Sequence, residues 1–346
     1  MKDRQAMMFV VIFLILAPVG ARNAHAQDNL PLQRVQTIPM PNVSGRMDHL
    51  GVDVEGGRLF AAALGDSQNT VEVIDLKAGK RIFSIRGQSM PQGVFYSAEF
   101  KRLFVANGKD GTVKSFRGDS FELLDSLSIG TNPNHVGYDE ATKYLYVGIG
   151  IPNTRVGALA IIDTGTNKHI GDIRTDTHAG GLKVETSGPR IFVTLAGIPK
   201  VGVVDREKRE QTTTWPLTGV PGVVALVLDE THHRLFGGSR NPPKLIVLDT
   251  ESSKQIAQLD GVDGIDDLWY DAERNRVYAS GGRGAAAGFV YVYQQKDADH
   301  YELAAKVPTR ANAQTSIWVP QLNRYYVSAS ANDKEDAAIL VFEPQP

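Results

Sequence analysis

Three pairs of neighbouring residues in this 346-residue sequence carry side chains that could do chemistry: Asp48-His49, Asn134-His135 and Asp266-Asp267. Carboxylates and imidazoles together can hold a divalent cation, and an imidazole titrates near neutral pH, so it can act as a general base. Thiolate chemistry is excluded because the chain contains no cysteine. The pairs lie far apart in the sequence, so a shared site requires a fold that brings them together.

A repeated phrase indicates what that fold is. An apolar triplet such as RLF recurs along the chain, and the triplets begin at Arg58, Arg102, Tyr144, Arg190, Arg234, Arg276 and Arg324. Each is followed by a second apolar run such as VEVIDL, and Gly, Asp, Asn and Pro separate the runs. Four short strands per unit indicate one four-stranded antiparallel sheet. Seven such sheets around an axis make a seven-bladed β-propeller.

The two ends of the chain predict how the ring closes. The last unit stops after its third strand, in ILVFEPQP, and the segment Leu32–Met40 precedes the first unit without a partner. Pairing that segment onto the last blade would satisfy its backbone groups and cover an exposed strand edge. We therefore predict one all-β domain over residues 27–346, with the closing strand and a linker in 27–45 and seven repeats in 46–346.

The first 26 residues have the pattern of a signal peptide. Lys2 and Arg4 precede an apolar core too short to favour a membrane span, and Ala24-His25-Ala26 forms a cleavage site before Gln27. A retained N-terminal anchor is the alternative. We expect a periplasmic or secreted monomer with no membrane span in the mature chain. The formal net charge of −2 argues against a nucleic-acid partner.

Alignment of the seven innermost strands on their triplets places one residue pair from each blade at the entrance of the central channel. The fourth and fifth blades offer glycine and apolar residues, whereas the others form a polar arc, which a symmetric structural repeat would not need. The predicted ligand-binding residues of this arc are Asp48, His49, Gln92, Asn134, His135, Asp266 and Asp267. The predicted rim residues are Asn107, Lys109, Arg155, Arg240 and Arg283, whose cationic members could receive an anionic ligand. The alternative is a channel lined by ordered water.

The same arc could hold calcium, zinc or manganese, because it offers carboxylates and imidazoles without thiolates. The candidates come from different blades, so the sequence assigns no set of metal ligands. It contains no hydrolase nucleophile elbow, zinc-protease helix motif or phosphate-binding loop, and no catalytic residue is assigned.

The units VEVIDLKAGKRI, LAIIDTGTNKHIGDI and LIVLDTESSKQIAQL resemble the third and fourth strands of YVTN-type propeller repeats. With its exported N-terminus, the whole mature chain resembles the periplasmic β-propellers of the YncE family. The resemblance implies a binding protein more than an enzyme. Single-stranded DNA binding is attributed to the family's namesake, and similar propellers include lactonases that use calcium.

Three functions follow as hypotheses. The first is a module that binds a small ligand or a periplasmic protein through the channel mouth. The second is a metal-assisted hydrolase or lactonase, in which Asp266 and Asp267 hold the ion and His49 or His135 acts as the base. Single-stranded DNA binding is the third, and the acidic balance of the chain disfavours it.

Overall fold

The computed structural model of the protein describes residues 30–65, 69–284 and 287–346. The predicted signal peptide, residues 1–26, lies outside these described residues. Within them, 28 strands form seven four-stranded antiparallel sheets, which are the seven predicted blades. None of the helices found in these residues has the length and apolar character needed to cross a membrane.

The strands of the first four blades are β2 to β17. Blade 1 has β2 Arg46–Asp53, β3 Arg58–Leu64, β4 Asn69–Asp75 and β5 Lys80–Ile85. Blade 2 has β6 Pro91–Ser97, β7 Arg102–Asn107, β8 Thr112–Arg117 and β9 Leu123–Ser128. Blade 3 has β10 Val136–Asp139, β11 Tyr144–Gly150, β12 Gly157–Asp163 and β13 Lys168–Thr175. Blade 4 has β14 Ala179–Val184, β15 Arg190–Leu195, β16 Lys200–Asp205 and β17 Glu210–Pro216.

The remaining strands build blades 5 to 7. Blade 5 has β18 Ala225–Asp229, β19 Arg234–Arg240, β20 Pro243–Asp249 and β21 Gln255–Asp260. Blade 6 has β22 Asp267–Asp271, β23 Arg276–Gly281, β24 Phe289–Gln295 and β25 Tyr301–Pro308. Blade 7 has β26 Thr315–Val319, β27 Arg324–Ala329, β28 Ala337–Pro344 and, as its outer strand, β1 Leu32–Met40. One short 3₁₀ helix, Pro320–Leu322, follows β26.

The ring closes as the sequence predicts. Strand β1 pairs antiparallel with β28, from Leu32 opposite Pro344 to Met40 opposite Ala337. The two ends of the described chain are therefore neighbours in the same blade. Closure covers the outer edge of β28, which would otherwise present unpaired backbone groups.

The hydrophobic core lies between the blades. The first strands of successive blades contact one another in a full circle around the channel, from β2 through β26 and back to β2. Seven clusters of buried apolar residues fill the seven junctions between neighbouring blades. The second strand of each blade is thus buried on both faces, which explains why it is a nearly continuous apolar run, whereas a fourth strand such as β9 is largely exposed.

The arginine that begins most of the repeated triplets joins neighbouring blades. In five blades its guanidinium donates a hydrogen bond to a backbone carbonyl at the end of the third strand or in the turn after it, in the next blade. The pairs are Arg58 with Gly118, Arg102 with Thr164 and Gly165, Arg190 with Thr250, Arg234 with Ala298, and Arg276 with Gln345. Blade 3 has Tyr144 at this position, and Arg206 of blade 4 reaches back to Asp139 at 3.1 Å instead.

Candidate functional site

Irregular strand starts position the predicted residue pairs at one end of the channel. The pairing of β2 with β3 shifts register between Met47 and Leu50, around Asp48-His49, and β6 shifts between Pro91 and Val94. Such bulges redirect side chains out of the regular alternation. Asp266 bonds to the backbone of β23 just before β22 begins, with its N–H 3.2 Å from the Ser280 carbonyl.

Two cavities meet in this part of the channel. We call the one nearer the starts of the innermost strands the upper cavity and the other the lower cavity. The upper cavity, of about 270 Å³, is bordered by Arg46, Asp48, Gln92, Asn134, His178, Arg240, Asp266 and Arg283, among others. The lower cavity, of about 250 Å³, is bordered by Gly93, Lys183, Asp267, Trp269, Ser316 and neighbouring apolar residues. His49 and His135 border both cavities and so mark the level at which they join.

Arginines hold two of the predicted carboxylates. Arg46 donates to both oxygens of Asp48, at 3.2 and 2.8 Å, and the Asp48 side chain is only 2% exposed. Arg240 donates through Nη2 to Asp266 and through Nε to the Ile265 carbonyl at 2.7 Å. Both buried carboxylates are therefore engaged in charge-assisted ion pairs with partly buried arginines, and Asp266 Oδ2 also lies 3.9 Å from Arg46 Nη1.

The third carboxylate, Asp267, faces the two histidines. Its Oδ2 accepts a hydrogen bond from the Ser316 N–H at 2.9 Å and lies 3.4 Å from His49 Nδ1. The rings of His49 and His135 are 4.3 Å apart between centroids and inclined at 54°. Ligand atoms of His49, His135 and Asp267 all lie within 4.8 Å of one another. The structure thus brings together an imidazole pair and a carboxylate from three different blades.

The two imidazoles differ in their electrostatic environment. Burial lowers the pKa of His49, but the carboxylates of Asp267 and Asp48 outweigh it and raise that pKa to about 10. Burial lowers the pKa of His135 well below its usual value, and the charge of His49 adds to this. Burial raises the pKa of Asp266 to about 6 in spite of the neighbouring Arg240. A charged imidazole and a neutral one therefore stand side by side at neutral pH.

His135 also lacks hydrogen-bond partners. Both of its ring nitrogens are inaccessible to solvent and accept or donate no hydrogen bond within the described part of the chain, and the same holds for Asn134 Oδ1. An unsatisfied buried polar atom costs about 1–3 kcal/mol, and native structures contain few of them. Such atoms beside a cavity indicate a place where a ligand can supply the missing partner.

Of the five predicted rim residues, two border the upper cavity and three border neither cavity. Arg240 and Arg283 border the upper cavity. Asn107 is fully buried and bonds to backbone, accepting from the Ser89 N–H at 2.7 Å and donating to the Val105 carbonyl at 3.2 Å. Lys109 and Arg155 are exposed, and neither borders the two cavities. Asn107 is thus a structural residue of the β7 end.

Gln92 lies in the arc as predicted, but its amide is already engaged. Its Nε2 donates to Asn132 Oδ1 at 3.0 Å and is 3.4 Å from the Pro133 carbonyl. This contact ties β6 to the segment that carries Asn134 and His135. Gln92 therefore positions its neighbours as well as bordering the upper cavity.

Sequence reasoning missed Arg46 and Lys183. Arg46 stands two residues before Asp48 on the same face of β2, a spacing that could have signalled the pair. Lys183 borders the lower cavity from β14, with its ammonium 4.6 Å from the centre of the Trp269 ring. The sequence feature that could have identified Lys183 is its position inside an innermost strand, because lysine is rarely buried without a partner. Burial lowers the pKa of Lys183, and Asp267 opposes that effect.

The fold and its channel define the class of this protein as a seven-bladed β-propeller. No family model matches the chain, and no curated protein matches its sequence. Among solved structures, a chain of a mitotic checkpoint complex is similar at 12% identity and a TM-score of 0.71, with 99% of each chain covered.

Two further similar structures are the WD40 repeats of RRP9 and the protein U3-55K. Each is 10% identical, with TM-scores of 0.70 and 0.71; 89% of this chain is covered in both cases, and 97% and 98% of theirs. The fold is therefore that of WD40-like propellers. Identities this low establish the fold alone.

Proposed function

We propose that this chain is an exported binding propeller of the YncE type that holds a small anionic molecule in the upper cavity of its channel. The observation that carries the proposal is the charge around that cavity. Three guanidinium groups, on Arg46, Arg240 and Arg283, border it with two carboxylates, on Asp48 and Asp266. Arginine stays protonated at all working pH values, so the guanidiniums exceed the carboxylates by one positive charge.

Arg283 supplies that excess. Arg46 and Arg240 are already paired with Asp48 and Asp266, whereas no hydrogen bond or ion pair of the Arg283 side chain occurs among residues 30–65, 69–284 and 287–346. A guanidinium binds carboxylate and phosphate groups in a planar, two-pronged geometry. The free cation at the mouth is therefore suited to a single carboxylate or phosphate group.

The shape of the site favours a small molecule over a folded protein partner. The upper and lower cavities together offer about the volume of a small ligand pocket, with polar groups mainly around the upper cavity and apolar walls mainly around the lower one. A flat protein surface would reach the rim but not the buried side chains of His135 and Asn134.

The proposal that the chain is exported rests on the sequence of residues 1–26. The proposal that it is of the YncE type rests on the repeated third and fourth strands.

The test uses the mature chain, residues 27–346, purified from the periplasm of a host that expresses the full sequence. Intact mass should report cleavage before Gln27, and native mass spectrometry should report a small adduct that survives purification. Thermal unfolding is then followed with a panel of carboxylates and phosphate monoesters of three to eight carbons. A binder should raise the melting temperature in proportion to the logarithm of its concentration.

Two arginine variants provide the comparison. Arg283→Ala should abolish the stabilisation, because it removes the unpaired cation of the upper cavity. Arg155→Ala is the matched control, since Arg155 was predicted on the same rim but does not border the cavity. Absence of any adduct and of any stabilising anion would overturn the proposal, and so would equal loss of binding in both variants.

A further inference from the structure

We propose that His49, His135 and Asp267 bind one divalent transition-metal ion, of which zinc is the best-fitting example, where the upper and lower cavities meet. The metal and the anion are different ligands: the anion proposal depends on Arg283, whereas the metal depends on His49, His135 and Asp267, of which the two histidines also border the upper cavity. His49 comes from blade 1, His135 from the segment before β10 of blade 3, and Asp267 from the start of β22 in blade 6.

The spacing of the three groups suits a tetrahedral ion. Two ligands around such an ion, at bond lengths of about 2.0–2.1 Å, are about 3.4 Å apart. His49 Nδ1 and Asp267 Oδ2 are separated by 3.4 Å. The remaining ligand atom, on His135, lies within 4.8 Å of the other two. Metal binding would draw it closer and complete three coordination positions.

The unpartnered state of His135 is an independent observation that points to the same ion. Its imidazole has two solvent-inaccessible nitrogens without hydrogen bonds in the described residues. Imidazole nitrogens are common metal ligands in proteins. Coordination by one nitrogen would supply the partner that the surrounding protein does not.

The carboxylate is held for such a role. The Ser316 N–H donates to Asp267 Oδ2 at 2.9 Å, and Ser316 Oγ is itself held by the Tyr325 hydroxyl at 2.8 Å and by Ser280 Oγ at 2.8 Å. Hydrogen bonds from an outer shell fix the orientation of metal ligands and raise their affinity. Asp267 is thereby aimed at the histidines before any ion arrives.

The chemistry of the ligands selects the class of metal. Calcium and magnesium prefer sites made wholly of oxygen, whereas two imidazoles and one carboxylate suit zinc and its neighbours. The additional carboxylates that a calcium site would need, on Asp48 and Asp266, are held by Arg46 and Arg240.

The experiment uses the mature chain, residues 27–346, after dialysis against a chelator. Isothermal titration with Zn²⁺ alone should give one ion per chain, and Co²⁺ should give the visible absorption bands of a four-coordinate site. Ca²⁺ and Mg²⁺ should produce no comparable binding. No anionic ligand is added, so a failure here is separate from a failure of the anion proposal, and Arg283→Ala should bind Zn²⁺ as the wild type does.

His135→Ala should weaken Zn²⁺ binding at least about 100-fold, because loss of an outer-shell partner alone costs about 10- to 100-fold and a direct ligand contributes more. His178→Ala is the matched control, because His178 borders the upper cavity but lies outside the cluster. Circular dichroism checks that each variant folds, and His135→Gln preserves side-chain bulk if the alanine variant does not fold. Absence of one-to-one binding in the wild type would overturn the inference. Equal binding in wild type and His135→Gln would assign the metal to surface histidines and overturn it as well.

Discussion

Asp266 and Arg240 show how a single buried charge in the channel depends on its partner. The Asp266 side chain is 7% exposed, and Arg240 reaches it from the end of β19 in the neighbouring blade. Arg46 Nη1 also lies 3.9 Å from Asp266 Oδ2, but Arg46 is paired with Asp48, so Arg240 is the main cation beside Asp266. Removal of one partner from a buried pair costs about 3–5 kcal/mol. We expect Arg240→Met to lower the free energy of unfolding by about 3 kcal/mol, measured by urea denaturation. Arg240→Met combined with Asp266→Leu should recover most of that loss, and a double variant as unstable as the single one would contradict this account.

The sequence predicted where the chemical groups lie better than how they pair. Alignment on the repeated triplets placed Asp48, His49, His135 and Asp267 around one channel entrance, because the repeat fixes the start of each innermost strand. It could not predict that Asp48 bonds to arginine while Asp267 faces two histidines. That choice depends on bulges at the strand starts, which redirect side chains without leaving a clear signal in a single sequence.

At the level of strands, the triplet arginine makes a testable connection between blades. Arg102 of β7 donates to the carbonyls of Thr164 and Gly165 in blade 3, at 2.9 and 2.7 Å. Arg324 occupies the same repeat position in β27, but bonds to Asn323 and Glu343 of its own blade. We expect Arg102→Met to cost about 1–3 kcal/mol of stability, because two carbonyls lose a charged donor.

Arg324→Met is the matched control for Arg102→Met. Its ion pair is partly exposed, and such pairs contribute about 0–1 kcal/mol. Thermal and urea unfolding of both variants would measure the difference. Equal losses would mean that the repeated arginine matters for its own blade and not for the junction between blades.

Glycines in the innermost strands have a packing role that the sequence pattern does not reveal. A Cβ atom on Gly93 would lie 2.2 Å from the Asn134 carbonyl oxygen, and one on Gly181 would lie 2.7 Å from that of Val224. Neighbouring innermost strands therefore approach too closely for a larger residue. The sequence analysis counted the glycines of the fourth blade as part of the non-polar side of the channel entrance, whereas the structure shows that close contact with the fifth blade requires glycine at Gly181.

For the molecule as a whole, the repeat predicted the architecture because seven similar units and an unpaired N-terminal strand allow few alternatives. Function was less predictable, since every WD40-like propeller shares this scaffold and its sites depend on a few side chains. A metal-assisted hydrolase and single-stranded DNA binding stay predictions. The first assigns the ion to Asp266 and Asp267 and the base to His49 or His135, whereas the site proposed above uses both histidines as metal ligands and Asp266 is paired with Arg240. The second is disfavoured by the net charge of −2.

Closure of the ring by β1 makes the stability of the whole propeller depend on one N-terminal strand. Ile38 of β1 is 1% exposed and packs in the junction between blade 7 and blade 1, whereas Val35 of the same strand is 50% exposed. We expect Ile38→Asp to lower the free energy of unfolding by at least about 3 kcal/mol, because it buries a carboxylate without a partner at the closing junction. Val35→Asp, the matched control, should change it by less than about 0.5 kcal/mol. Urea denaturation measures both. If Ile38→Asp is no more destabilising than Val35→Asp, the ring is held by its other six junctions and the N-terminal strand is dispensable.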